Sequence, residues 1–350
     1  IEYYDANDAL IAKRLVTEND TIPNSNYHFF AGTSQNDVID GGQADSISAT
    51  GYLGDDQITG SKGSDYLGGN EGDDTIIAGK GNDVLLGGTG NDYLDNGSGD
   101  DVVYGEDGDD TFINWSGTDY YDGGNGNDTI ITDLSDEKID GILQPQSFEI
   151  YLNLKDQIHG LPEWTTAPDT VINVENYTLI GDFDAELIGD EKDNIFTTDA
   201  GDDVLTGGGG NDTLSAWIGN DQVYAGSGND TIINTGGQDL FDGGDGVDTL
   251  ITDLSQSVKD SLGLNLDFDI VFDLTAADPH MRHYAVKPDG TDYAWDEIYG
   301  IENYTLIGDF DAELTGDDQA NILMSDSGDD TLTGGSGNDT LDGGSGTNNL

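Results

Sequence analysis

The sequence predicts an all-β fold, a parallel solenoid built from a nine-residue repeat. Four observations predict it. Residues 51–131 divide without remainder into nine blocks of nine, beginning GYLGDDQIT, GSKGSDYLG and GNEGDDTII. The fourth position of every block is glycine (Gly54, Gly63, Gly72, Gly81, Gly90, Gly99, Gly108, Gly117, Gly126). The sixth is always aspartate: Asp56, Asp65, Asp74, Asp83, Asp92, Asp101, Asp110, Asp119 and Asp128. The eighth is always apolar or aromatic, from Ile58 through Phe112 and Tyr121 to Ile130.

One apolar residue per block cannot bury a face alone, so the blocks must stack. A three-residue strand centred on position eight points that side chain inward and its two neighbours outward. The six residues before it turn the chain, and their glycines admit backbone angles that other residues resist. Two blocks then make a flattened coil of eighteen residues, and coils stack at about 4.8 Å. Asp56, Asp74, Asp92, Asp110 and Asp128 would line one edge, and Asp65, Asp83, Asp101 and Asp119 the other. Like charges about 5 Å apart repel by roughly 3 kcal/mol per neighbour at an effective dielectric near 20. Such a ladder needs a cation between its rungs. Carboxylate and carbonyl oxygens, in a chain without cysteine, suit calcium far better than a soft metal.

The blocks resemble the GGxGxDxUx nonapeptide of RTX proteins, with full matches at Gly87-Gly-Thr-Gly-Asn-Asp-Tyr-Leu94 and Gly123-Gly-Asn-Gly-Asn-Asp-Thr-Ile130. The resemblance implies a right-handed parallel β-roll that binds many calcium ions, roughly one per nonapeptide. It also implies that the position-six aspartates and the position-four glycine carbonyls hold each ion between successive coils.

Residues 1–31 lack the repeat and are expected to cap the solenoid or to end a preceding module. Within them Asp8-Ala-Leu-Ile-Ala-Lys-Arg-Leu-Val16 suggests one or two helical turns. A first block of repeats covers 32–131, starting imperfectly with GTSQNDVID, where Gln35 stands at the glycine position. A calcium-poor spacer follows at 132–188. The second block, 189–251, opens with the degenerate GDEKDNIFT. It then carries Asp203, Asp212, Asp221, Asp230, Asp239 and Asp248, with Gly201, Gly210, Gly219, Gly228, Gly237 and Gly246 two positions before each. A second spacer spans 252–315. The third block, 316–350, holds Asp330 and Asp339 with Gly328 and Gly337, and stops inside a repeat. That end, and the lack of an initiating Met, are expected of a piece of a longer protein.

The spacers are copies of each other. Phe148-Glu-Ile-Tyr-Leu-Asn-Leu154 returns as Phe268-Asp-Ile-Val-Phe-Asp-Leu274, and both alternate with the period of a half-buried strand. Glu175-Asn-Tyr-Thr-Leu-Ile-Gly-Asp returns at Glu302. They read as longer coils of the same solenoid or, alternatively, as small separate domains. They resemble the spacers of large modular RTX surface proteins.

With 72 acidic residues against 10 basic ones the formal charge is −62. Such a chain has no basic patch for nucleic acid, is repelled by anionic membranes, and without metal should stay expanded. No run of 18 apolar residues exists, so membrane insertion is not expected. No constellation suggests catalysis, because the repeat already accounts for its many aspartates, so the chain reads as a non-enzyme. His280 and His283, in HMRH, stand at a spacing some zinc sites use. Without cysteine and beside Pro279 they read as surface-loop residues. His28 and His159 are isolated and read as structural or solvated.

One outward face is unusually apolar. Tyr66, Val84, Leu86, Val102 and Tyr104 are candidates for contact with another subunit or a neighbouring module. Trp115 and Trp217 are either further contacts or local packing. Neither outward face shows a regular Thr ladder of the kind an ice-binding array needs. The expected function is a calcium-dependent structural module of a secreted bacterial surface protein (surface layer, extracellular fibre or adhesin), exported by type I secretion and folding on external calcium. The alternatives are the repeat region of an exported enzyme or toxin, and an ice- or polysaccharide-binding solenoid.

Overall fold

The computed structural model describes residues 2–4, 10–13, 28–42, 44–134, 149–160, 168–255, 269–277, 283–286 and 292–350. Every regular element among them is a strand. The chain falls into two compact units, Ile1–Ile180 and Gly181–Leu350.

In the first unit two parallel sheets share one core. One contains Val38–Asp40, Gln57–Thr59, Thr75–Ile77, Tyr93–Asp95, Thr111–Asn114, Thr129–Asp133 and Asn176–Ile180. The other contains His28–Ala31, Ile47–Leu53, Tyr66–Glu71, Val84–Thr89, Val102–Asp107, Tyr120–Asn125 and Asp169–Ile172. Within the repeats, each residue pairs with the one eighteen positions on, as Thr75 with Tyr93 and Tyr66 with Val84. The two-block coil predicted from the period is therefore the unit of stacking.

The position-eight side chains Ile58, Leu67, Ile76, Leu85, Leu94, Val103, Phe112, Tyr121 and Ile130 are all 0 % exposed. Burying an aliphatic or aromatic side chain of this size contributes about 1.5–3 kcal/mol, so the column inside the coils is the main apolar source of stability. The two sheets differ in one respect. Strands of the first are mostly three residues long, whereas Tyr66–Glu71 and its neighbours run to six. There the turn glycines themselves stay in the ladder, Asn70 pairing with Gly88 and Gly88 with Glu106.

The first spacer is threaded into this stack. Tyr120 pairs with Thr170, and Thr129 with Asn176, so two of the spacer's strands, Asp169–Ile172 and Asn176–Ile180, continue both sheets. Its extra length makes an antiparallel pair, Glu149–Asn153 with Ile158–Gly160, the latter antiparallel to Asp169–Ile172.

The second unit repeats the plan. Ile195–Thr197, Thr213–Ser215, Thr231–Asn234, Thr249–Asp253, Asn303–Ile307, Ile322–Met324 and Thr340–Asp342 form one sheet. On the other face Asp292–Tyr299 pairs in parallel with Leu240–Gly246. It also pairs antiparallel with His283–Val286, and that strand antiparallel with Asp269–Asp273. Asp269–Asp273 then runs parallel to Ala312–Thr315. The second spacer thus adds strands to one sheet while the other passes straight from Thr249 to Asn303.

Among the described residues of Asp8–Val16 no helical turn is found, and the rest of that stretch lies outside them. Leu10–Lys13 is a strand, antiparallel to Glu2–Tyr4. Its Leu-Ile-Ala core satisfies a short ladder as readily as a helical face, and tertiary pairing decides between them.

Candidate metal centre

The position-six aspartates form ladders. In each, carboxylate Oδ1 accepts the backbone N–H of the equivalent residue one coil earlier. On one edge Asp37 N–H donates to Asp56, Asp56 to Asp74, Asp74 to Asp92, Asp92 to Asp110 and Asp110 to Asp128, at 2.7–2.8 Å. On the other, Ile47 N–H donates to Asp65, Asp65 to Asp83, Asp83 to Asp101 and Asp101 to Asp119, at 2.6–2.8 Å. In the second unit Asp203, Asp221 and Asp239 make one ladder, and Asp212, Asp230 and Asp248 another. Asp330 and Asp339 accept from Ala312 and Asn321. All seventeen predicted aspartates hold the same structural position.

The second oxygen is the informative one. Oδ2 of Asp56, Asp74, Asp83, Asp92, Asp110 and Asp128, and of Asp203, Asp212, Asp230 and Asp248, is buried with no hydrogen-bond partner. A buried carboxylate oxygen without a donor is costly, and ten on one repeating position call for a common cationic partner. Position one of the block makes room for it. A Cβ on Gly51, Gly69, Gly87 or Gly105 would lie 1.9–2.3 Å from Oδ2 of the aspartate five residues on.

The position-four glycines bring backbone oxygens to the same turn. Gly72, Gly90, Gly99 and Gly108 have positive φ, and a Cβ on Gly90 would sit 2.1 Å from the Gly72 carbonyl oxygen. Gly63 and Gly219 lack the positive φ of the others, yet a Cβ on either would fall within 2 Å of a carbonyl oxygen one coil earlier. Among the described residues no three carboxylate or imidazole side chains converge on a point. An ion here would therefore draw on Oδ2 and turn carbonyls together, a hard all-oxygen donor set of the kind calcium takes.

The electrostatics agree. Burial, reinforced by carboxylates one coil away, pushes the Asp92, Asp119 and Asp221 carboxyls up to about 8. Asp83, Asp128 and Asp212 rise to about 7, and Asp56, Asp74 and Asp110 to about 6. Without a cation the ladder prefers protons.

Several ladder members escaped the sequence reading. In the spacers Asp119 N–H donates to Asp169 and Asp239 N–H to Asp296. On the opposite edges Asp128 N–H donates to Glu175 and Asp248 N–H to Glu302. The duplicated Glu-Asn-Tyr at 175 and 302 was the available signal. Asn194 and Asn321 take position six in the degenerate blocks and pass the ladder on to Asp212 and Asp339.

The histidine expectations need correction. His283 is not a surface-loop residue: it is 5 % exposed, in strand His283–Val286. His280 lies outside the described residues. For His159 the structural alternative holds: it is fully buried and bonded at both ring nitrogens. Trp115 donates its indole N–H to Asp95 at 2.9 Å, a local packing role. The apolar stripe is in register: Tyr66, Val84 and Val102 pair in sequence, as do Gly68, Leu86 and Tyr104. Tyr66 is 50 % exposed, and the other four are half-buried.

Fold and ladder together define a repeat solenoid whose turns are built to hold hard cations. The family model of the RTX calcium-binding nonapeptide repeat matches residues 29–141, 181–250 and 315–350 in overlapping stretches. The chain belongs to that family. No curated protein matches it. Among the described residues no helix is long and apolar enough to cross a membrane.

Proposed function

We propose that the chain is a calcium-dependent structural module of a secreted bacterial surface protein, one that folds when it meets external calcium. The observation that carries this reading is the column of buried, unpartnered Oδ2 atoms, repeated at ten aspartates. The formal charge of −62 supports it, since so acidic a chain resists compaction until its charges are bridged. Extracellular calcium modules work at about 10⁻⁴–10⁻³ M, so such a chain stays unfolded in a low-calcium interior and becomes rigid outside. Binding energy is then folding energy.

The test is far-ultraviolet circular dichroism at pH 8 in EDTA and in millimolar calcium. Strand signal is expected only with calcium, and identical spectra would end this reading. In the same proposal, the stripe of Tyr66, Val84, Leu86, Val102 and Tyr104 is the contact for a second copy or a neighbouring module. Val84→Lys with Val102→Lys should then abolish calcium-dependent assembly seen by light scattering, and unchanged assembly would exclude this face.

A further inference from the structure

The two spacers carry the same buried cluster on different sequence spacings. In the first, Asp169 Oδ1 accepts Asp119 N–H at 2.9 Å, as any rung aspartate would. Its Oδ2 is bound by His159 Nδ1 at 2.8 Å and by Asn114 Nδ2 at 3.0 Å. In the second, Asp296 Oδ1 accepts Asp239 N–H at 3.0 Å, and Oδ2 is bound by His283 Nδ1 at 2.5 Å and Asn234 Nδ2 at 3.0 Å. Each imidazole is held from behind. His159 Nε2 lies 2.9 Å from the Tyr177 hydroxyl, which donates to Thr132 Oγ1 at 2.8 Å. His283 Nε2 lies 3.0 Å from the Tyr304 hydroxyl and 3.3 Å from Thr252 Oγ1. His159, Asp169, His283 and Asp296 are all at most 5 % exposed.

On regular rungs of the same ladders, at Asp83 and Asp203, Oδ2 has no protein partner. The geometry points to a substitution: in each spacer an imidazole and a carboxamide occupy the place that a calcium ion takes on ordinary rungs, so the metal array on this edge ends at the spacer. On this edge position one is Gly60, Ala78 and then Asn96, whose amide already reaches Asp101 Oδ2 at 3.1 Å. On the rungs entering the spacers it is Asn114 and Asn234, whose amides turn onto the next carboxylate. Two N–H donors then satisfy Oδ2 without a metal. In the folded chain the spacer rung then needs no calcium of its own, and the ion column on this edge is interrupted there.

This inference rests on the calcium reading, and the experiment separates the two. Crystals of the whole chain grown in calcium are measured at long wavelength for anomalous scattering. Peaks are expected at calcium–oxygen distance, about 2.3–2.6 Å, from Oδ2 of Asp74, Asp92 and Asp110, with none at that distance from Oδ2 of Asp169 or Asp296. A peak beside either spacer carboxylate would overturn the substitution and leave the calcium reading intact. Absence of peaks everywhere would overturn both. A variant carrying Asn114→Gly and His159→Ala restores the ordinary rung, and equilibrium dialysis should find one more calcium per chain. An unchanged count at wild-type strand content would also overturn the proposal.

Discussion

Single positions in this repeat are set by what lies one coil away. Position one is glycine where the aspartate's second oxygen fills the space of a Cβ, as at Gly87 against Asp92, 2.3 Å away. Position two usually needs the left-handed region that glycine enters freely, as Gly88 and Gly124 do at φ +126° and +104°. Glu106 occupies that position at φ +80° between those two glycines in the ladder. A non-glycine residue there costs about 1–2 kcal/mol. Glu106→Gly should therefore stabilise the calcium-loaded protein by about 1 kcal/mol, read as a higher midpoint in denaturant. A lower midpoint would show that the Glu106 side chain contributes more than its backbone strain removes.

At the scale of the strand, stability comes from one inward residue per block. Leu85 is fully enclosed, between Leu67 and Val103 in the parallel ladder. Leu85→Ala leaves a cavity between rigid coils that cannot close around it, and should cost about 2–5 kcal/mol. Because each coil touches only its neighbours, the loss should be local. Hydrogen exchange in calcium should quicken around Leu67, Leu85 and Val103 before Ile130. Uniform acceleration would mean that the first unit unfolds as a single block. The spacer strands follow another logic: their polar clusters, Asn114–Asp169–His159–Tyr177 and Asn234–Asp296–His283–Tyr304, are satisfied side chain by side chain.

Over the whole molecule the acidic ladders control the pH response. The carboxyls of Asp83, Asp92, Asp119 and Asp128 rise from an ordinary 3.8 to about 7–8 in the folded, metal-free chain. The folded state then holds more protons than the unfolded one across this range. Metal-free stability is fullest below about pH 4 and is lost progressively as the pH climbs to about 8. Calcium displaces these protons, so its binding should strengthen over the same range. Expected in EDTA is a strand signal that fades between pH 4 and pH 8; in calcium the signal should persist at pH 8. A metal-free signal that grows with pH would contradict the burial of these groups.

The period of nine, with glycine, aspartate and an apolar residue at fixed places, determined the solenoid, its eighteen-residue coil, the inward column from Ile58 to Ile130 and the seventeen rung aspartates. Those features follow from local chemistry repeated identically, and local chemistry is what a sequence displays. The tertiary structure decided which carboxylate oxygens have donors and which do not. It also made a strand of Leu10–Lys13, inside the stretch Asp8–Val16 expected to be helical, drew His283 out of a supposed surface loop into the core, and settled His159 as a structural residue. His159 and Asp169 are ten residues apart and His283 and Asp296 thirteen, so no shared spacing marks the pair. Each meets its aspartate and Asn114 or Asn234 only because the spacer folds back onto the last coil, where a buried carboxylate must find a partner for its second oxygen.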